Sequence, residues 1–259
     1  MPVTATREEN DSVSDYAIRI AGMEFAWAAD TPEVLRIDEL LVRRAERVYL
    51  AGPSGSGKST LLSLIGGITE QDKGTVEVLG TEFSQLPRRR RDRFRADHIG
   101  FVFQLFNLLP YLSVDENVAL PCRFSPARRQ RVEASGGLHL ETERLLDALE
   151  LGSKGLRRRP VTELSIGQQQ RVAVARALIG SPALVIADEP TSALDEDTRE
   201  RFVDLLFQEC QSKKITVVFV SHDPRLAPLF DRVLSLPELN RAGSGQAAPA
   251  GAALTPAGA

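Results

Sequence analysis

Six short runs along the chain are dominated by apolar, β-branched and aromatic residues: 47–51 (RVYLA), 74–80 (GTVEVLG), 98–104 (HIGFVFQ), 183–187 (ALVIA), 215–221 (ITVVFVS) and 232–236 (RVLSL). Runs of this length and composition read as β-strands. Between them lie stretches whose apolar positions recur at helical spacing, and that alternation predicts a mostly parallel sheet covered by helices. From about residue 105 to 171 the strand signal fades. Segments 114–120 and 138–151 carry helical periodicity there, with Leu145, Leu146 and Leu149 on one face. A helical insertion inside the α/β core is therefore expected.

The ends of the chain differ from this folded middle, residues 16–240. Residues 1–15 are polar and acidic and read as a flexible leader; residues 241–259 hold few large apolar side chains and read as a disordered tail. No window reaches the roughly 18 successive apolar residues of a membrane helix. The first residues also lack the cationic start and apolar stretch of a secretory signal. A cytosolic protein that does not span a bilayer is expected.

Gly52, Pro53, Ser54, Gly55, Ser56, Gly57, Lys58 and Ser59 fit G-x-x-x-x-G-K-[ST], directly between the strand-like RVYLA and the helix-like segment opening at Thr60. Glycines let successive N–H groups turn inward, and the following helix adds the positive end of its dipole, which together make a cradle for phosphate oxygens. Lys58 is then placed to reach the β and γ phosphates, and the Ser59 hydroxyl to ligate Mg²⁺. The bland alternative, a Gly/Ser-rich turn with a chance lysine, does not explain why strand and helix flank it. A second acidic element closes the apolar strand ALVIA: Asp188 is suited to hold Mg²⁺, and Glu189 to polarise an attacking water.

Many NTPases share a phosphate loop, so the class has to come from other residues. Leu164-Ser165-Ile166-Gly167-Gln168, followed by QQRVAVARAL and then the acidic strand end, resembles the signature of ABC ATPases. The run from Asp188 to Asp195 (DEPTSALD) is similar to that family's acidic motif and D-loop, the triplet Ser221-His222-Asp223 to its switch histidine, and Gln104 stands where the family has its Q-loop. Trp27, after an early strand and near Phe25, falls where the family places an aromatic that stacks on adenine. The resemblance implies a P-loop NTPase with a RecA-like, mostly parallel sheet core, an antiparallel β edge and an inserted helical subdomain. It implies ATP and Mg²⁺ as ligands, with Gln104 touching the metal or the lytic water and His222 the γ phosphate. It further implies a head-to-tail homodimer in which Ser165, Gly167 and Gln168 of one chain, together with the D-loop at Asp195, meet the nucleotide held by the other.

One position departs from the pattern. The family's signature usually has glycine where this chain has Ile166, and a β-branched residue disfavours positive φ. The backbone there is expected to suit an ordinary L-residue, leaving a working signature on Ser165 and Gly167.

The resemblance covers almost all of residues 17–240 and is strongest to the bacterial ABC ATPases of lipoprotein release, macrolide-type export and cell division. It implies a separate integral membrane permease with an extracytoplasmic domain and a peripheral place on the inner face of the cell membrane. The alternative within the family is a soluble ATPase acting on nucleic acid or ribosomes. Such relatives usually carry paired ATPase modules, a long coiled coil or zinc insertions, which this chain lacks. A P-loop kinase or GTPase would have no use for the signature and D-loop.

Charge changes this picture little. A formal net charge of −3 gives no overall attraction to nucleic acid. The arginine-rich stretch at Arg88–Arg91, Arg93 and Arg95 reads as a solvated helix balanced by local acids, and so does Arg157–Arg159, since no aromatic stacking pattern accompanies them. Cys122 and Cys210 lack CxxC spacing and read as buried apolar residues.

Overall fold

The computed structural model describes residues 15–28, 30–192, 194 and 196–242. Nearly all of the expected leader and tail, and Asp195, lie outside the described residues. The elements in chain order are β1 (Tyr16–Phe25), β2 (Leu35–Arg43), β3 (Arg47–Ala51), α1 (Lys58–Ile65), β4 (Lys73–Val78), β5 (Thr81–Glu82), α2 (Arg88–His98) and β6 (Ile99–Val102). Then come α3 (Val114–Phe124), α4 (Pro126–Ala134), α5 (Leu138–Ala148), α6 (Lys154–Arg157) and α7 (Ile166–Leu178). The chain ends through β7 (Leu184–Asp188), α8 (Glu196–Ser212), β8 (Thr216–Val220), β9 (Arg232–Ser235) and α9 (Leu236–Leu239).

Strands β6-β7-β8-β3-β9 form a parallel sheet in that order. Its inner strands are apolar on both faces because both faces are covered. Successive residues of β8 point to opposite sides: Val217 and Phe219 enter one core, Val218 and Val220 the other. The second sheet, β2-β1-β4-β5, is antiparallel. In β2, Leu35, Ile37, Leu40 and Val42 turn inward while Arg36, Asp38, Glu39 and Leu41 do not. That sheet packs with α1 over one face of the parallel sheet, and α3, α5, α7 and α8 cover the other. Leu145, Leu146 and Leu149 are all fully buried there, each contributing about 1.5–3 kcal/mol of apolar burial.

Helix starts follow local chemistry. Ser113 and Glu116 form a reciprocal capping box at the head of α3, and Ser165 and Gln168 form another at the head of α7. Helix α4 has few apolar residues, yet Arg128 on it is almost fully buried. Its guanidinium donates to the carbonyls of Ala96 (2.8 Å), Ala177 (3.0 Å), Ile179 (2.9 Å) and Ile99 (2.6 Å), which tie α4 to the ends of α2 and α7.

On α2, Arg93 pairs with Asp97 at 2.9 Å and Arg95 with Asp92 at 2.6 Å, as expected of a helix balanced by local acids, but Arg91 departs from the expected solvation and is buried against Glu70. Arg157 corrects the expectation of solvation: it is buried, bridging Asp115 at 3.0 Å and Glu143 at 2.8 Å. A run of arginines in sequence does not reveal which one turns inward. Cys122 and Cys210 are both free and buried.

Candidate functional site

The C-terminal ends of β3, β7 and β8 converge on a cavity of about 580 Å³. This is where open α/β sheets place ligands. The loop from β3 into α1 forms its floor through Ser54, Gly55, Gly57, Lys58, Ser59 and Thr60. Gly57 caps α1 at φ 99°, a left-handed backbone that favours glycine. Gly52, Pro53 and Ser56 belong to the same loop but do not line the cavity. Lys58 Nζ donates to Gly52 O at 2.7 Å and Pro53 O at 2.9 Å, which curls the ammonium across the loop.

Gln104, Asp188, Glu189 and His222 stand on the opposite wall. Glu189 adopts φ 47°, a left-handed conformation costing on the order of 1 kcal/mol for a side-chain-bearing residue. Its N–H donates to Val220 O at 3.0 Å, and its Oε2 accepts from His222 Nδ1 at 2.7 Å. The segment behind His222 is fixed through Asp223. Arg225 bonds its carboxylate at 2.9 and 3.0 Å and Arg199 pairs with it as well, which together hold the carboxyl far below the usual carboxylate range. Arg199 also donates to Leu194 O at 2.8 Å, linking this segment to the residues just before Asp195.

Ser59, Gln104 and Asp188 bring a hydroxyl, an amide and a carboxylate to one cavity. Such an all-oxygen set fits a hard divalent cation, which is held by one or two carboxylates with the rest of its shell from phosphate and water. Among the described residues no group of three or more His, Cys, Asp or Glu is arranged to hold a metal by itself.

Trp27 is not a core aromatic. Phe25 is the buried one; Trp27 stands edge-on to it at 5.0 Å, is 62% exposed, and lines the cavity. Val34, which sequence reading did not single out, forms the wall beside it. It lies just before β2, where nothing in the local pattern marks it.

The signature residues are elsewhere. Ser165, Gly167 and Gln168 are not walls of this cavity; Ser165 is exposed at the head of α7. Ile166 is the first helical residue of α7 and 55% exposed, so the position does take an ordinary L-residue conformation. Further along α7, Gln170 is fully buried and donates to Pro190 O, next to Glu189.

Residues 35–192 match the protein family described as ABC transporter. A lipoprotein-releasing system ATP-binding protein of Caulobacter vibrioides, LolD 2, is 40% identical over 227 residues, 86% of this chain and 96% of that one. The ABC transporter ATP-binding protein YbbA of Escherichia coli K12, described as uncharacterized, is 42% identical over 198 residues, 76% of this chain and 83% of its own. Among solved structures, the dimeric bacterial ABC transporter cassette MJ0796 superposes with a TM-score of 0.73 at 34% identity, covering 84% of this chain and 93% of that one. A second structure of it, a post-hydrolysis state bound to ADP and Pi, gives a TM-score of 0.69. These relatives are transporter cassettes and lend no support to a nucleic-acid role. The chain belongs to the ABC transporter family, as an ATP-binding and ATP-hydrolysing subunit.

Proposed function

We propose that two copies of this chain close head to tail around ATP and drive a separate membrane permease of the lipoprotein-release and export type. The observation that carries the proposal is the separation just described: one chain's cavity gathers the phosphate loop, Asp188, Glu189 and His222, while its signature faces outward at an exposed helix N-terminus. Such a terminus offers unpaired N–H groups and a positive dipole end to an anion that its own chain does not supply.

Trp27 stacks on the adenine, and the loop from Gly52 to Thr60 wraps the phosphates. Lys58 exchanges two neutral carbonyls for phosphate oxygens, a stronger charge-assisted contact. Ser59, Asp188 and Gln104 would hold Mg²⁺, which would supply positive charge to neutralise the phosphates. Glu189 accepts a proton from the attacking water, and His222 is positioned beside both Glu189 and the γ phosphate. Ser165, Gly167 and Gln168, with Asp195, complete the partner's site. Loss of the shared γ phosphate then removes the anion that joins the two faces, so hydrolysis opens the dimer.

Among the described residues no helix is long and apolar enough to cross a membrane; the permease supplies the spans, and this chain docks on it at the inner face of the cell membrane. A groove of about 390 Å³ between α2 and α3, with Leu120, Phe124 and Phe101 in its walls, supports docking there; Phe124 is 68% exposed. A tagged chain should co-purify from detergent-solubilised membranes with a permease carrying an extracytoplasmic domain, and Phe124→Glu should lose it.

Nucleotide binding by Ser165→Arg tests the separation. The monomer should bind MgATP as the wild type does and lose hydrolysis. Weakened monomer binding would show that Ser165 serves its own chain's site and would overturn the proposal.

A further inference from the structure

Helix α2 opens against the usual rule for helix ends. The positive end of a helix dipole favours acids in the first turn, as at α3, where Asp115 and Glu116 follow the Ser113 cap. At α2 the first turn holds Arg88, Arg89, Arg90 and Arg91 with no acid among them, and Pro87 offers no side-chain cap. Arg91 turns inward onto Glu70, and further along the helix Asp97 and Asp92 answer Arg93 and Arg95. Three cations remain. Among the described residues Arg88, Arg89 and Arg90 make no ion pair and no side-chain hydrogen bond, and all three are exposed.

Nothing inside the chain offsets three like charges at the wrong end of a helix, and a local rule broken without an internal compensation points to an outside partner. The base beneath them is rigid. Phe94 packs edge-on to the buried Phe83 at 5.4 Å, Arg95 donates to Gly67 O at 3.1 Å, and Arg91 is bound to Glu70. Because Cα–Cβ bonds of a helix lean towards its N-terminus, the three stems are carried towards the helix end, where their charge adds to the dipole.

The place of this cluster in the fold indicates what it meets. Asp92, Arg95 and Ala96 of the same helix line the groove where the permease is placed, and Arg89 stands about 9 Å along α2 from Arg95. A chain seated on a permease through that groove holds the arginines beside the surrounding bilayer. Guanidinium groups bind phosphate oxygens in pairs, and lipid phosphodiesters present a layer of them. The chain as a whole carries a net charge of −3, so attraction to an anionic surface has to be local.

We propose that Arg88, Arg89 and Arg90 form a docking surface for anionic phospholipid headgroups, which sets the chain against the bilayer beside its permease. Three arginines near such a surface contribute about 10²-fold in partitioning, enough to orient a chain that the permease already holds. The position of the surface rests on the permease-docking reading above, whereas its affinity for lipid is measured without a permease.

Full-length chain is sedimented with vesicles of equal parts phosphatidylglycerol and phosphatidylcholine, and with vesicles of phosphatidylcholine alone. Wild type should bind the anionic vesicles at low ionic strength, leave them at high ionic strength and ignore phosphatidylcholine. Arg88→Gln, Arg89→Gln and Arg90→Gln together should weaken that binding at least about tenfold. Arg19→Gln, Arg36→Gln and Arg201→Gln together remove the same charge from other faces and should leave it within about twofold. The urea midpoint of the first variant should equal or exceed that of wild type, because the cluster opposes the dipole.

A lower midpoint would assign the arginines a structural role and overturn the proposal. Equal losses in the two triple variants, or a wild type that ignores anionic vesicles, would overturn it as well. So would a first variant that keeps its vesicle binding but no longer co-purifies with a permease, since the arginines would then meet an acidic protein segment. Vesicle binding as predicted by a chain that co-purifies with no permease would leave the lipid surface standing and overturn the docking reading alone.

Discussion

His222 Nδ1 and Glu189 Oε2 stand 2.7 Å apart although the residues are 33 positions apart in sequence. The contact follows from strand order. β7 and β8 are parallel neighbours with Asp188 opposite Val220, so Glu189 and His222 leave the sheet at the same end. The carboxylate accepts, which places the hydrogen on Nδ1.

The role of general base proposed for Glu189 needs a carboxylate, which an amide cannot replace. Glu189→Gln should lower the steady-state hydrolysis rate by at least about 10²-fold while leaving MgATP affinity within a few-fold. Lys58→Ala should lose affinity instead. Phosphate release measured alongside equilibrium nucleotide binding separates the two effects.

Trp27 is the chain's one tryptophan, and it lines the cavity with its ring exposed. Its fluorescence should change on adding MgATP. Trp27→Ala should weaken nucleotide binding by about 1–3 kcal/mol, the worth of one base stacked on an aromatic, and Trp27→Phe by much less. A competition assay with a fluorescent nucleotide analogue measures both.

Arg128 sits where burial pushes its guanidinium down to about 10, with four carbonyls as its bonding partners. Replacing it by methionine keeps much of the volume and strands those acceptors. Arg128→Met should cost about 3 kcal/mol or more in urea unfolding. The same change at the solvent-facing Arg89 should stay within about 0.5 kcal/mol.

Burial pushes the Cys210 thiol up to about 12 and raises that of Cys122 as well. Neither is a reactive thiolate at neutral pH, so iodoacetamide should label no cysteine in the folded chain and both of them in urea. Because the folded pKa of Cys210 lies above the unfolded value near 8.5, its contribution to stability is complete below about pH 8.5. That contribution is lost as pH rises towards 12. Urea midpoints compared at pH 7.5 and 9.5 should show the decline, and Cys210→Ala should flatten it.

Elements whose chemistry is local were legible in the sequence. The glycines and Lys58 between strand and helix marked the phosphate loop, and uninterrupted apolar runs marked β7 and β8, because a strand covered on both faces has no polar side to hide. What escaped sequence reading depends on distant partners. Arg128, Arg157 and Arg176 look alike in an arginine-rich chain; only tertiary packing shows that the first binds backbone carbonyls, the second two acids and the third a loop some 70 residues away. The left-handed backbone of Phe106 and Glu189 was equally hidden, since neither residue type announces positive φ. The exposure of Trp27 beside a buried Phe25 likewise came from the fold, two aromatics at one strand end being interchangeable in sequence.

The measurement that bears most directly on the central claim is the molar mass of Glu189→Gln by size-exclusion light scattering, with and without MgATP. The account predicts a monomer without nucleotide, a dimer of about twice that mass with it, and a monomer again when Ser165→Arg is added. A Glu189→Gln chain that stays monomeric at saturating MgATP, or one that dimerises equally well with Ser165→Arg, would contradict it.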